Sequence, residues 1–87
     1  RMDAPAGTVT FLFSDIEGSS RLWERFPVDM GPALARHDDI LRGEIEGAGG
    51  MVFKTVGDAF CAAFASPSNA LRAATTAQRR LFAEDWG

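Results

Sequence analysis

Apolar and polar positions along the 87-residue chain change their spacing several times, and each change predicts a new element. Residues 8–14 alternate and are rich in β-branched and aromatic side chains, which predicts a strand. Residues 51–56 and 59–64 form two further extended runs. Gly57 and Asp58 between them predict a tight hairpin turn. We therefore expect three strands, the last two joined directly.

Apolar residues at helical spacing predict three helices in the remaining segments. The first opens at residues 18–20 and ends before Pro27, and the second runs from Met30 to about Gly47. The third begins at Ser66-Pro67, with serine as the cap, and runs to about residue 83. The residues expected to face the core are Leu34, His37, Leu41, Ile45 and Ala48 on the second helix and Ala70, Ala74, Ala77 and Leu81 on the third.

The resulting order, β-α-α-β-β-α, predicts an α+β fold. It matches most of a ferredoxin-like (palm-type) plan, an antiparallel sheet with helices on one face. The chain stops before the remaining strands of that plan, so we expect a truncated domain over residues 8–87, preceded by a flexible lead-in at residues 1–7. A sheet that lacks a strand has an unpaired edge, and this predicts self-association.

Composition and net charge indicate which classes of binding partner the chain is suited to. The chain is 46% hydrophobic and 24% charged, which is ordinary for one globular domain. A net charge of −3 and a pI near 4.9 argue against nucleic acid as a partner, and an RNA-binding module of this fold is disfavoured. No apolar run is long enough to cross a membrane, and the single cysteine is compatible with a reducing compartment, so we expect a cytoplasmic location.

Two aspartates stand where divalent ions could be held. Asp15 closes the first strand, and Asp58 lies in the hairpin turn. Two carboxylates can bridge a pair of divalent ions, and the backbone N–H groups of Gly18, Ser19 and Ser20 at a helix start attract phosphate. By residue type alone, the alternative is that both aspartates only form turns and caps.

Two stretches resemble the metal-site signatures of class III nucleotidyl cyclases. They are FLFSDIEGSS at residues 11–20 and FKTVGDAF at residues 53–60, within a resemblance that runs from about Thr8 to Leu81. The resemblance implies that Asp15 and Asp58 are the catalytic metal ligands for two Mg²⁺ or Mn²⁺ ions, with the backbone carbonyl of Ile16 as a third oxygen ligand.

The resemblance also implies a substrate. Gly18, Ser19 and Ser20 would face the phosphates, and Lys54 would select the base, because lysine at this position is typical of adenylyl cyclases. An ammonium can donate to the N1 acceptor of adenine, whereas the N1–H of guanine prefers a carboxylate. ATP is therefore the expected partner of Lys54. The alternative for this residue is an ordinary surface lysine.

The implied reaction converts ATP to 3′,5′-cyclic AMP and pyrophosphate within a signalling protein. The family's transition-state asparagine and arginine come from a later segment, which nothing in this chain matches, and reach the site across a head-to-tail homodimer. We therefore expect little turnover from these 87 residues alone. The alternative is a non-catalytic, cyclase-like module for nucleotide binding, dimerisation or regulation.

Overall fold

Three strands and three helices follow one another along residues 7–86, the part of the chain that the computed structural model describes. They are β1 (Thr10–Ser14), α1 (Ser19–Arg25), α2 (Pro27–Gly47), β2 (Met51–Val56), β3 (Ala59–Phe64) and α3 (Pro67–Ala83). This confirms the predicted β-α-α-β-β-α order. The expected lead-in at residues 1–7 lies outside the described residues except for Gly7.

Most boundaries agree with the sequence pattern, and the differences have local causes. β2, β3 and α3 have the predicted limits, and the Ser66 side chain accepts a hydrogen bond from the Asn69 amide. The second helix begins at Pro27 rather than Met30. Proline is tolerated in the first turn of a helix, so Pro27 both follows the end of α1 and starts α2. β1 begins at Thr10, two residues later than predicted.

The sheet has the strand order β1-β3-β2, with both pairs antiparallel. Side chains alternate across a sheet, and Phe60, Ala62 and Phe64 of β3 face the helices, where they are buried. The main core cluster consists of Leu41, Ile45, Ala48, Phe60, Ala62, Phe64, Ala70, Ala73 and Ala77. The helix-facing side of β3 is therefore the centre of the molecule.

The buried faces of α2 and α3 differ slightly from the predicted ones. Ala73 is buried on α3, whereas the predicted Ala74 is only half-buried. Ile40 is buried on α2, although the sequence analysis did not include it. Arg80 of α3 lies 2.7 Å from Glu44 of α2, and Arg36 of α2 lies 3.1 Å from Glu84, which follows the last residue of α3. Within residues 7–86, no helix combines the length and the hydropathy needed to span a membrane.

Gly50, directly before β2, lies so close to the core that a side chain would not fit there. A Cβ atom on Gly50 would lie 2.5 Å from the Phe64 ring and 2.9 Å from the Ile45 Cγ2 atom. Both neighbours are fully buried, so neither can move away at low cost. Gly50 therefore allows the end of α2 and the start of β2 to pass directly over Phe64.

The face of the sheet opposite the helices, which we call the open face, carries exposed aromatic rings. Phe11 is 57% exposed and Phe13 is 69% exposed. The Phe11 ring lies 6.2 Å from the Phe13 ring and 5.9 Å from the Phe53 ring, measured between centroids. Among residues 7–86, β1 pairs only with β3.

Candidate functional site

Strand register brings Asp15 and Asp58 to the same end of the sheet. Ser14, the last residue of β1, pairs with Phe60 of β3. Because the two strands are antiparallel, the chain leaves β1 beside the turn through which it enters β3. Asp15 follows Ser14 directly, and Asp58 lies in that turn. Residues from two distant stretches are thus placed side by side.

The groups that act on the Asp58 carboxyl include the Asp15 side chain. Burial raises the pKa of Asp58. Hydrogen bonds from the Ser19 side chain, the Asp15 side chain and the Ile16 backbone, together with the charge of His37, oppose that effect and hold its pKa below the ordinary value. The Ile16 amide also lies 2.9 Å from Asp15 Oδ1 and donates to it. The Asp15 and Asp58 carboxyl groups are therefore neighbours at this end of the sheet.

Two neighbouring carboxyl groups favour positive charge between them. When both are ionised they repel, and either a shared proton or a cation relieves the repulsion. Among residues 7–86, no group of three or more His, Cys, Asp or Glu side chains is placed to hold a metal ion. A pair is nevertheless a suitable donor set for Mg²⁺, which takes one or two carboxylates and completes its shell with water and phosphate oxygens.

The start of α1 lies beside this carboxylate pair. Gly18 adopts the left-handed conformation, with φ of 70° and ψ of 24°, and precedes the first helical residue without a side-chain cap. This conformation is costly for residues with a Cβ atom. Ser19 is half-buried and interacts with Asp58, whereas Ser20 is exposed. Of the three predicted phosphate-facing residues, the structure places Ser19 at the carboxylate pair.

Lys54 lies on the open face and not at the carboxylate pair. An irregularity in β2 between Val52 and Lys54 adds one residue against β3, so that Val52 pairs with Ala62 but Lys54 pairs with Cys61. Without the extra residue, alternation would direct Lys54 to the helix-facing side, next to Phe60. Phe13 also pairs with Cys61, so Phe13, Cys61 and Lys54 form one row across the open face.

A cavity of about 550 Å³ lies next to Asp15. Its walls are mostly apolar and come from Leu22, Phe26, Met30, Ala33, Leu34, Leu81 and Trp86. Asp15, Ile16, Asp29 and His37 also line it. The Ser14 hydroxyl is buried and has no hydrogen-bond partner among the described residues. At the end of β1, the Ser14 hydroxyl is thus buried, whereas the next residue, Asp15, is exposed and lines the cavity.

The contacts of His37 with Asp38 and Phe60 were not predicted from the sequence. Its Nδ1 atom lies 2.9 Å from Asp38 Oδ1, and its ring meets the Phe60 ring edge to face. The signal available in the sequence was the adjacent acidic residue, but helical spacing does not direct neighbouring side chains toward each other. The exposure of Phe11 and Phe13 was also missed, because alternation does not reveal which side of a strand is covered.

The chain matches the family model described as adenylate and guanylate cyclase catalytic domain over residues 2–82. Adenylate cyclase of Lachancea kluyveri is 42% identical over 82 residues, and adenylate cyclase of Schizosaccharomyces pombe is 38% identical over 82 residues. Both matches cover 94% of this chain, but only 4% and 5% of those proteins. The chain thus corresponds to a small part of each of these curated relatives.

A solved structure has the same architecture. An adenylate cyclase from Trypanosoma brucei, studied in its monomeric state, superposes with a TM-score of 0.89 and is 39% identical. The match covers 91% of this chain and 34% of that one. At this identity the likeness extends to the sequence as well as to the fold.

Proposed function

Because the chain belongs to the adenylate and guanylate cyclase catalytic-domain family, we propose that it forms the metal-binding part of an adenylate cyclase active site. The protein that carries it converts ATP to 3′,5′-cyclic AMP and pyrophosphate. One observation carries this proposal: Asp15 and Asp58, from distant stretches of the chain, bring their carboxyl groups together at one end of the sheet. That convergence is what a site for divalent ions requires.

Asp15 and Asp58 are the proposed catalytic residues and metal ligands, with the backbone carbonyl of Ile16 as a further oxygen ligand. Two Mg²⁺ or Mn²⁺ ions, when bound, supply positive charge that activates the ribose 3′-hydroxyl and stabilises the departing pyrophosphate. The nearness of the two carboxyl groups to each other supports this assignment, because such a pair gains most from an intervening cation. Ser19 orients Asp58 within the pair through its hydroxyl.

The phosphates of ATP are assigned to the turn before α1. Gly18, Ser19 and Ser20 supply backbone N–H groups there, and the Ser20 side chain is exposed to an incoming ligand. The backbone of Gly18 is open, since no atom beyond its chain neighbours lies within 4 Å of the place where a Cβ would stand. These residues bind and orient the triphosphate, so that the 3′-hydroxyl can approach the α-phosphorus in line with the leaving pyrophosphate.

The adenine base is assigned to the open face. Lys54 can donate a hydrogen bond to adenine N1, and Phe13, in the same row of the sheet, offers an exposed ring for stacking. The same face is a suitable surface for a second copy of the domain, since Phe11 and Phe13 expose apolar rings to solvent. We propose a head-to-tail homodimer, in which the facing copy contributes to each site. The protein acts in the cytoplasm in a signalling role.

Mn²⁺ binding tests the metal site without depending on turnover. Electron paramagnetic resonance of free Mn²⁺ measures the affinity of the unaltered chain, of Asp15→Asn and of Asp58→Asn. We expect each substitution to weaken binding at least about tenfold, because it removes a charged ligand from a site that has only two. Asp39→Asn, an exposed carboxylate on α2, is the matched control and is expected to keep the affinity of the unaltered chain.

The activity itself is tested in the longer protein with ATP and Mg²⁺ or Mn²⁺. Unchanged cyclic AMP output after Asp15→Ala or Asp58→Ala would contradict the enzymatic proposal. Nucleotide binding without any cyclic AMP formation would instead favour the non-catalytic, cyclase-like module.

A further inference from the structure

β2 has one residue more than the part of β3 with which it pairs. Met51 pairs with Ala63 at one end of the ladder, and Val56 pairs with Ala59 at the other. Both ends are fixed, because the chain passes closely over Phe64 before β2 and turns tightly after it. The excess residue must therefore be accommodated inside β2.

The place of this excess residue determines which side chain lies opposite Cys61. In the structure, Phe53 is the excess residue and Lys54 pairs with Cys61. If the irregularity lay later in the strand, Phe53 would take the place opposite Cys61, and Lys54 would be directed to the helix-facing side. Only the observed arrangement leaves Lys54 in the same row as Phe13.

A ring contact across the sheet holds Phe53 away from Cys61. The Phe53 ring meets the Phe11 ring of β1 edge to face, with centroids 5.9 Å apart and an interplanar angle of 65°. Phe11 pairs with Ala63, so this contact draws Phe53 toward the row of Ala63. Ala63 lies on the open face, where no helix packs, yet it is only 6% exposed because larger side chains cover it.

We propose that Phe53 is a positioning residue for base recognition: by packing on Phe11, it keeps the place opposite Cys61 free for Lys54. The inference rests on the proposed function, because it requires that Lys54 contacts the base of the nucleotide. Phe53 itself does not touch the nucleotide in this arrangement. It acts through the pairing of β2 with β3, which orients the lysine before the nucleotide binds.

The first experiment reads the pairing of β2 in the chain itself, without nucleotide. Cys61 is the only cysteine, so selective carbon-13 labelling gives unambiguous NMR signals for its Cβ protons. Nuclear Overhauser contacts from these protons to the Lys54 side chain are expected, because paired residues on one face lie close together. In Phe53→Ala these contacts are expected to weaken at least about twofold, because residues 53 and 54 then compete for one place.

Two variants accompany this measurement. Phe11→Ala removes the same ring contact from the side of β1 and is expected to weaken the contacts between Cys61 and Lys54 equally. Phe53→Tyr keeps a ring at position 53 and is expected to preserve them. Thermal unfolding confirms that each variant is folded.

The second experiment measures base selection in the longer protein. The ratio of the inhibition constant of GTP to the KM for ATP reports how well the site discriminates between the two bases. Phe53→Ala is expected to lower this ratio at least about fivefold, because Lys54 is no longer held in place, and Phe53→Tyr is expected to retain it. Phe82→Ala removes an exposed ring from α3 and is the matched control, with an unchanged ratio expected.

This ratio separates positioning from a merely structural role. Loss of folded or assembled protein lowers kcat, whereas the two constants of the remaining active sites keep their ratio. Lys54→Gln is measured alongside and is expected to lower the ratio at least as much as Phe53→Ala, because it removes the ammonium itself.

The outcomes distinguish the two proposals. If Lys54→Gln leaves the ratio unchanged, Lys54 does not select the base, and the role of Phe53 fails with it. If Lys54→Gln lowers the ratio but Phe53→Ala does not, the role of Lys54 stands and the inference about Phe53 is overturned. Undiminished contacts between Cys61 and Lys54 in Phe53→Ala, or an equal fall of the ratio in Phe82→Ala, would overturn it as well. If Phe53→Ala does not fold, Phe11→Ala decides the matter.

Discussion

At the scale of single residues, one missing methyl group decides how closely the chain can pass over the core. Gly50 lies against the Phe64 ring and Ile45, both of which are fully buried. Gly43, by contrast, lies inside α2 with no atom within 4 Å of its Cβ position. The same substitution at these two glycines should therefore have opposite effects.

We expect Gly50→Ala to lower the free energy of unfolding by about 1–3 kcal/mol, because the added methyl group overpacks a rigid core. Gly43→Ala should raise it by about 0.5–1 kcal/mol, because alanine restricts the unfolded chain and favours the helix. Urea denaturation of both variants checks the prediction. A neutral or stabilising Gly50→Ala would mean that the start of β2 is not in close contact with Phe64.

The carboxylate pair was predictable from the sequence, but its surroundings were not. Asp15 and Asp58 stand in two distinctive stretches, each at the end of a strand, and strand ends are where a sheet brings distant residues together. The bond from His37 to Asp38 depends on rotamers, and the contact of His37 with Phe60 depends on how α2 crosses β3. Neither leaves a regular pattern in the sequence.

At the scale of elements, the N-terminus of α3 depends on one hydroxyl group. The Ser66 side chain accepts from the Asn69 amide at 3.4 Å, and Pro67 occupies the first turn. α3 contributes Ala70, Ala73 and Ala77 to the core, so fraying at its start would expose part of that core. Capping and packing are therefore linked in this helix.

Replacement of the cap is expected to cost about 1 kcal/mol. Ser66→Ala leaves one helical N–H group without its acceptor, whereas Ser66→Asp restores an acceptor and adds a charge that the helix dipole favours. The unaltered chain and Ser66→Asp should therefore have similar thermal unfolding temperatures, and both should be higher than that of Ser66→Ala. If Ser66→Ala unfolds at the same temperature as the unaltered chain, the hydroxyl does not cap α3.

Element boundaries followed from the sequence where a single residue type determines them. The Gly57-Asp58 turn and the Ser66-Pro67 start gave correct limits for β2, β3 and α3. Pro27 was assigned only the end of α1, although it also begins α2, because a proline is compatible with both positions. The extra residue at Phe53 was not predictable, because a bulge is set by pairing with another strand.

At the scale of the whole molecule, the helices cover one face of the sheet and leave aromatic rings on the other. Phe11, Phe13 and Phe53 contact one another there. Apolar rings grouped on one surface favour association, whereas a single exposed ring is ordinary. Phe82 on α3 is such a single ring, with 94% of its surface exposed.

We expect the chain to self-associate through the open face. Phe11→Lys should shift the sedimentation coefficient toward that of the monomer, because it places a charge among the grouped rings. Phe82→Lys carries the same charge change on the helical side and should sediment like the unaltered chain. Analytical ultracentrifugation over a range of concentrations makes the comparison. Dissociation by Phe82→Lys alone would place the contact on the helices instead.

The extra residue in β2 determines on which face of the sheet the side chain at position 54 lies. It turns that side chain away from the hydrophobic interior, where only apolar groups would be tolerated, and leaves it in solvent on the open face, across Cys61 from Phe13. A basic residue there can be exchanged for an acidic one with little penalty in folding. Under the proposed role of Lys54 in base selection, a single substitution at this position changes the nucleotide preference while the scaffold stays the same, provided that the strand keeps its additional residue.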